Sequence, residues 1–590
     1  MVASDRSACF FRWPGEISEW GYDNFFAGAW FPQGTRVEVG PLPEGIAAVS
    51  GDNWAIIGAR SPVHPGRPGL VHQRGEEAVA FRGYVFPRLH SYSASREICT
   101  HWLDQGRPPY NGIFAAAVIG DSGRSCTLVA DFLGMGPLFY RRAGNGVLFS
   151  TNPRYLALEG DLPDRLAWRH FMHVGYVQAN RTLTAGVEAV PAGTVVRFDC
   201  REVRHHQWFD FSALPPGEVE ARPADLVVLE ELFRQAVSRC LALDVGEVVL
   251  PLSGGFDSRR ILGALLEAGA SYRVVAGRPM RNSRGNIDAS VARLVAETLG
   301  LGIRLVGDSD PASFVRNERI RMAVFDGHCL EHGWAVPLMR EASSAPILWL
   351  DGIAGDVLGR PVGWRNHAPE PLEPGLPQNE RADVIAAHVA TRLLERVLDW
   401  SSWPSLDELR GDLSDYFGRF QPRNNLSEIT FLLQRTRRGI ALGAQQLAPP
   451  GCVVACPYLD VDYVTRVFTY TPASKVALWI QRSSLRECYP QLYRFPSTRD
   501  FMLDPLPGYR QLERNRCREW LRKLRNELSR NGHSAQNTAS LLAPPRRLLF
   551  HGAQVNATIA QRAGWYLVPL MELAVREATR VPCWSLPEKF

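Results

Sequence analysis

The heptapeptide Leu252-Ser253-Gly254-Gly255-Phe256-Asp257-Ser258 joins two kinds of local structure. Before it, residues 248–252 form a short apolar run that reads as a buried strand, and after it residues 259–268 read as a helix. Two glycines at such a turn leave no Cβ between the backbone and a ligand. The helix that begins behind them offers unpaired N–H groups and a partial positive charge. Ser253 and Ser258 add hydroxyl donors. Such a turn suits a pyrophosphate. Asp257 has the wrong charge to bind phosphate directly, and makes sense through a Mg2+ ion that joins carboxylate to phosphate. A capped Gly-Gly turn without function is the plainer alternative, and the full strand-SGGxDS-helix context speaks against it. The sequence GxxxxGK[ST] does not occur, which disfavours a P-loop kinase.

Outward from this turn the rhythm stays α/β. Residues 273–276 read as a second strand and 287–299 as a second helix. Strands alternating with helices over short connections imply a parallel sheet with helices on both faces. Residues 366–380 read as a long loop, followed by helices over 382–399, 405–417 and 426–447. Upstream, Leu226, Leu229, Leu232, Phe233 and Val237 mark one face of a helix, preceded by a Pro-rich polar stretch at 212–224. From about residue 20 to 205 the chain is strand-like. Residues 113–119 and 125–130 read as a hairpin, and 138–140 with 147–150 as another. The expected division is a β-rich domain over 1–211, a linker over 212–224 and a nucleotide-type α/β domain over 225–590.

The 590 residues suffice for two or more cores. A net charge of +5 is small for this length and does not point to nucleic-acid binding. Residues 1–15 carry Asp5, Arg6 and Arg12 and lack the apolar core of a signal peptide. No run of about 18 apolar residues suggests a membrane span. The eleven cysteines are scattered, as expected of reduced thiols in a cytoplasmic protein. Cys452 and Cys456 lack a second Cys/His pair at zinc-site spacing and are expected to be packing residues.

The SGGxDS turn resembles the pyrophosphate loop of the N-type ATP pyrophosphatases, which include asparagine synthetase, β-lactam synthetase and the lasso peptide cyclases. Asp351-Gly352-Ile353-Ala354-Gly355-Asp356 resembles that family's GxGxD stretch, and Pro457-Tyr458-Leu459-Asp460 its PFLD. Arg435, Arg437 and Arg438 lie where the family has an arginine-rich helix, a solvated basic face being the alternative. In the first half, Asn111-Gly112-Ile113-Phe114, the span from Asp131 through Gly134 to Pro137-Leu138-Phe139-Tyr140, and Pro191-Ala192-Gly193 are similar to class II glutamine amidotransferase landmarks. The resemblance implies an Ntn-type amidotransferase-like β-rich sandwich followed by a parallel sheet of the adenine-nucleotide α-hydrolase (PP-loop) type. It implies ATP and Mg2+ as cofactors. Leu252, Val274, Val275 and Ala276 would flank the adenine. Ser253, Gly254, Gly255 and Ser258 would hold the pyrophosphate, Gly352 would approach the nucleotide, and Asp257 and Asp356 would share the metal.

Three departures narrow the reading. An active glutaminase of this class needs an N-terminal cysteine whose α-amine serves its own thiol. The chain begins Met1-Val2, and Cys9 would need an extra cleavage, so no glutaminase activity is expected. Ile353 stands where asparagine synthetases resemble one another in having Glu and β-lactam synthetases in having Tyr. An α-amino group, with an unperturbed pKa of about 8, needs a dedicated base less than other amines do, which favours a peptide N-terminus as nucleophile. The family's Lys three residues before a Leu-Arg pair is replaced by Arg482 before Leu485-Arg486, with Lys475 seven residues earlier; either is a candidate to stabilise charge on the α-phosphate.

These departures resemble the lasso peptide cyclases. The expected activity is an AMP-forming ligation that joins a precursor peptide's N-terminal amine to an Asp or Glu side chain of the same peptide as an isopeptide macrolactam. A precursor peptide, a leader peptidase and a leader-binding protein are the partners the resemblance implies. A small-molecule amide or β-lactam synthetase is the alternative, and a silent peptide-binding scaffold a further one. His328-Cys329-Leu330-Glu331-His332 fits a zinc-protease H-x-x-E-H pattern, but no third ligand is identifiable and a polar helix turn is expected. Gly120-Asp121-Ser122-Gly123 resembles a serine-protease segment and is expected to be a hairpin turn.

Overall fold

The computed structural model describes residues 8–14, 24–32, 34–60, 69–87, 89–91, 111–174, 176–278, 283–307, 346–359, 404–420, 423–498 and 583–586, with scattered positions elsewhere, mostly between 313 and 342. The expected loop over 366–380 and all of the helix over 382–399 except Ala382, Asp383 and Ala386 lie outside these residues.

In the C-terminal half five strands form a wholly parallel sheet. Their order is Ile303–Val306, Tyr272–Gly277, Glu247–Pro251, Ile347–Leu350, Cys452–Ala455. In chain order these are the third, second, first, fourth and fifth strands. The sheet therefore grows in one direction from Glu247–Pro251 and then, from Ile347–Leu350 onward, in the other. At such a reversal the two loops leaving the carboxyl ends of neighbouring strands turn apart and leave a crevice. Both loops singled out in the sequence, after Leu252 and after Leu350, leave the sheet there. Ile347–Leu350 is buried along its whole length, as a strand covered on both faces must be. The helices Asp225–Leu241 and Asp257–Glu267 pack behind the first loop. The strands Ile303–Val306 and Cys452–Ala455 were not legible, being too short for a periodic signal.

The first half is β-rich, as its alternation requires. One sheet runs Val203–Gln207, Thr194–Asp199, Ser125–Ala130, Gly112–Gly120, Glu77–Val85, Val71–Arg74, with Leu89–His90 paired off Glu77–Val85. A second runs Glu188–Ala189, Phe139–Ala143, Gly146–Ser150, Phe26–Trp30, Trp54–Ala59, Ile46–Ser50. Trp30, Trp54, Ile57, Ile119 and Leu128 are fully buried in the core common to both. Residues 121–124 form the turn of the first hairpin, with Asp121 and Ser122 in the left-handed region, so the protease-like tetrapeptide is a turn. Among the described residues the α-helix Arg165–Val174 interrupts the strand-like text.

A third small sheet was not anticipated. Ala8–Phe11 pairs in parallel with Arg36–Val39 and antiparallel with Trp584–Ser585. Trp584 is buried with its ring 4.8 Å from that of Phe11, and its Nε1 donates to the Tyr155 carbonyl at 2.8 Å. A segment from the C-terminal region thus clasps the strand that carries Cys9.

The stretch 212–224 is not a free tether. Arg423 donates to the carbonyls of Phe211 and Leu214, Asn425 to that of Pro215, and Val219 exchanges backbone hydrogen bonds with Thr469 and Thr471. The arginine-bearing helix runs over 426–447, and its middle, Leu432–Ala441, winds in wide π turns. Arg437 donates to the carbonyls of Gly134 and Val190 and to Asn180 Oδ1; Arg438 donates to the Arg181 carbonyl. Both guanidinium groups are buried between the halves, and burial lowers both pKa values, that of Arg438 to about 9. The solvated-face alternative is therefore wrong for these two: they are struts between domains. Among the described residues no helix is long and apolar enough to cross a membrane.

Candidate active site

The SGGFDS turn is organised by its own hydroxyls. Ser258 Oγ lies 2.9 Å from Ser253 Oγ and accepts from the Ser253 amide at 2.9 Å, while Ser253 Oγ accepts from the Gly255 amide at 3.2 Å. Leu252 is buried, and its amide donates to the Val275 carbonyl at 2.8 Å, which sets it beside the buried Val274–Val275–Ala276 edge. These four expected adenine-side residues are therefore neighbours. Ser253, Gly255 and Asp257 stay partly exposed.

The two glycines differ. A Cβ on Gly255 would meet Ser253 Oγ at 3.3 Å and nothing else nearby, so its outer side is open to a ligand. A Cβ on Gly254 would sit 2.1 Å from Thr498 Oγ1. The expectation that both glycines face a ligand is corrected: Gly254 is needed because the chain at Thr498 packs against it. That second layer was invisible in the sequence. Thr498 N donates to the Gly254 carbonyl at 2.9 Å, and Thr498 Oγ1 to Asp288 Oδ1 at 2.6 Å. Arg259, fully buried, donates to the carbonyls of Gly254, Phe495 and Pro496. Burial lowers its pKa to about 10.

The second turn meets the first. A Cβ on Gly355 would lie 2.6 Å from Asp257 Cγ and 2.7 Å from its Oδ1, and one on Gly352 would lie 3.4 Å from Asp257 Cβ. Asp257 thus lies directly against the turn that carries Asp356, the second residue of the helix Gly355–Gly359. Both acids sit at helix starts above adjacent strands. Among the described residues there is no cluster of three metal-ligating side chains. Two carboxylates suit Mg2+ nevertheless, because it commonly takes one or two carboxylates and completes its shell with water and substrate phosphates. Ala354 holds φ +70°, a left-handed conformation that favours glycine. The carboxyl of Asp351 is pushed up to about 6 by burial, although Trp349 Nε1 donates to it at 3.4 Å.

The two candidate cations part company. Lys475 is fully buried, with Nζ 2.9 Å from Glu428 Oε2, in a closed ion pair rather than on the surface. Arg482 is half-exposed; its guanidinium lies 5.4 Å from the Phe256 ring centroid and 3.3 Å from Asp500 Oδ1. Phe256 belongs to the turn itself, so Arg482 packs directly on that turn, whereas Lys475 is held in its ion pair with Glu428.

Of the further sequence landmarks, Asp460 of the PYLD segment is held by Arg239 and by Asn111, and the Tyr458 hydroxyl donates to the Asp257 carbonyl at 3.0 Å. Asp131 accepts from the amides of Phe114, Leu133, Met135 and Gly136, and burial nevertheless raises it to about 6. It is a structural hub. His328 lies just past a turn rather than in a helix; it is buried and accepts from the Leu183 amide through Nε2. The expected polar helix turn is therefore corrected at His328, and residues 329–332 lie outside the described residues. Cys452 and Cys456 are buried, consistent with packing. Cys9 is fully buried and its thiol is pushed up to about 12 by that burial.

The two-domain α/β architecture pairs an amidotransferase-like β sandwich with a parallel sheet flanked by helices. Residues 97–209 match the glutamine amidotransferase domain family. Over 261 residues the chain is 26% identical to the asparagine synthetase [glutamine-hydrolyzing] 3 of Bacillus subtilis (strain 168), covering 42% of this chain. The match spans 40% of that relative, less than half its length. Among solved structures, the chain matches glutamine phosphoribosylpyrophosphate amidotransferase from B. subtilis, with 12% identity, 58% of this chain and 72% of that chain covered, and a TM-score of 0.20. It also matches an allosteric regulatory enzyme of purine biosynthesis, with 11% identity, 48% and 80% covered, and the same TM-score of 0.20.

Proposed function

We propose that this protein is an ATP-dependent macrolactam synthetase of the lasso peptide cyclase kind. It would activate an Asp or Glu side chain of a precursor peptide as an acyl-adenylate and join it to that peptide's N-terminal amine. The observation that carries the reading is the packing of Asp257 against the Gly355–Asp356 turn at the reversal of the parallel sheet. The similarity to an asparagine synthetase supports amide-forming ligation as the reaction class.

In this reading the Gly255 side of the turn and the start of the Asp257–Glu267 helix receive the two departing phosphates of ATP. Asp257 and Asp356 would hold Mg2+, which offsets phosphate charge when bound. Arg482, poised over Phe256, faces the α-phosphate as charge develops on it. The peptide carboxylate oxygen attacks the α-phosphorus and pyrophosphate leaves. The amine nitrogen then attacks the acyl carbon, AMP leaves, and the amine's proton passes to solvent. Ile353, almost wholly buried, offers no proton acceptor in the second turn. The free-base fraction of an α-amine near neutrality supplies the nucleophile, and positioning supplies the rate. The N-terminal half contributes no glutaminase step, in keeping with the sealed thiol of Cys9.

The test is pyrophosphate release from ATP with Mg2+ and candidate precursor peptides, with the product followed by mass. Release together with a peptide lighter by one water is expected. Release with small amino acids alone would favour the small-molecule amide or β-lactam reading. No release with either class would remove the proposal.

A further inference from the structure

The PYLD segment differs from the PFLD it resembles by one oxygen, and that oxygen is used. Tyr458 is fully buried, with its ring 4.7 Å from Phe233 and 5.8 Å from Tyr463. A phenylalanine ring would fill the same space. The hydroxyl donates to the main-chain carbonyl of Asp257 at 3.0 Å. Two residues on, Asp460 is fixed from three directions. Arg239 binds it at 2.7 and 2.8 Å through two nitrogens, it caps the next helix through the Asp462 amide at 3.1 Å, and Asn111 Nδ2 donates to it at 2.9 Å. Asn111 also accepts from the Val461 amide at 3.2 Å. Asn111 lies at the start of the Gly112–Gly120 strand, in the core of the N-terminal sandwich. An unbroken line of hydrogen bonds and one short chain segment therefore runs from that sandwich to the backbone of the nucleotide turn.

We propose that the N-terminal half sets the position of Asp257 through Asn111, Asp460 and the Tyr458 hydroxyl, with Tyr458 as a positioning residue. The half that carries no exposed cysteine at Cys9 then serves the synthetase site as a mechanical reference. The relay rests on hydrogen bonds alone; its consequence for nucleotide affinity rests on the function proposed above. Breaking it should leave the fold intact and let Asp257 wander.

The experiment uses the full chain with Tyr458→Phe, Asn111→Ala and the double variant. Amide hydrogen exchange over residues 255–259 is read without nucleotide. Binding of an α,β-methylene ATP analogue is then titrated against Mg2+ concentration. Each single variant should speed local exchange about fivefold, because Tyr458→Phe loses one hydrogen bond between neutral groups and Asn111→Ala acts on the turn only through that same bond. Each should raise the Mg2+ midpoint by a similar factor, with the thermal midpoint little changed. The double variant should be no worse than the singles, since both cut one line. Unchanged exchange in Tyr458→Phe, or additive effects in the double variant, would overturn the relay. Altered exchange in a protein that does not bind the analogue would uphold the relay and sink the nucleotide reading instead.

Discussion

Cys9 and Asp257 are the two residues on which chemistry would turn in a bifunctional version of this architecture, and they are treated in opposite ways. Cys9 lies in the middle strand of a three-stranded sheet, with no exposed surface and a thiol held protonated by burial. Asp257 lies at a sheet reversal, in a turn that keeps Ser253 and Gly255 open and is buttressed from behind by Arg259 and Thr498. The comparison teaches that a pocket is kept by what is left out of it as much as by what lines it. Trp584 packs on Phe11 in the strand that carries the first residue, whereas Gly355 makes space beside the second.

The sharpest way to break the comparison is at Asp257. Asp257→Asn keeps the shape that Gly355 accommodates and removes the charge. Pyrophosphate release should fall by roughly 10³-fold with the thermal midpoint unchanged. Asp257→Ala should lose as much; full activity in either variant would end the metal role.

Trp584→Ala attacks the sealed side. Losing a buried indole costs about 3 kcal/mol or more of local stability. The clasp should open and Cys9 should become reactive to a thiol reagent without unfolding of the parallel-sheet half. Continued protection of Cys9 would show that the clasp is not what seals it.

A smaller effect is expected where the halves are latched. His170 Nε2 lies 2.9 Å from Asp412 Oδ2, and Arg181 binds the same carboxylate at 2.8 Å. Burial pushes Asp412 up, but the hydrogen bonds from His170 and Arg181 prevail and hold it at about 2. Burial lowers His170. In both cases the unfolded chain binds protons more readily than the folded one, so stability rises with pH. The Asp412 contribution is full above its ordinary value of 3.8 and is lost as pH falls toward 2. The His170 contribution weakens as pH drops below the ordinary imidazole value of 6.5. Asp412→Asn should cost about 2 kcal/mol near neutrality and flatten the acid limb of a stability–pH profile. An unaltered profile would place the acid sensitivity elsewhere.

The smallest change sharpens the open side. Ala354→Gly relieves a left-handed alanine and should stabilise the protein by roughly 0.5 kcal/mol, read from the denaturant midpoint. A loss of stability would show that the Ala354 methyl packs better than the backbone suffers.

Much of the SGGFDS turn was legible because it is made of main chain. Glycines, a strand before and a helix after are local signals, and Asp257 is conspicuous by its charge. The arginines of the long helix were not legible in the same way. Arg437 and Arg438 read equally as surface cations, and only the arrival of Gly134, Val190 and Arg181 carbonyls from the other half settles them as struts. Lys475 was ambiguous for the same reason, since its partner Glu428 lies 47 residues away.

By itself the sequence determined the two kinds of architecture, the SGGFDS turn and the acids at 257 and 356, because alternation, periodicity and glycine placement act over a few residues. Only the tertiary structure decided that Gly254 serves Thr498, that Arg482 packs on the turn while Lys475 pairs with Glu428, and that Trp584 clasps the strand carrying Cys9. Each of those depends on which distant side chain or carbonyl fills a given space, and no short-range pattern encodes that.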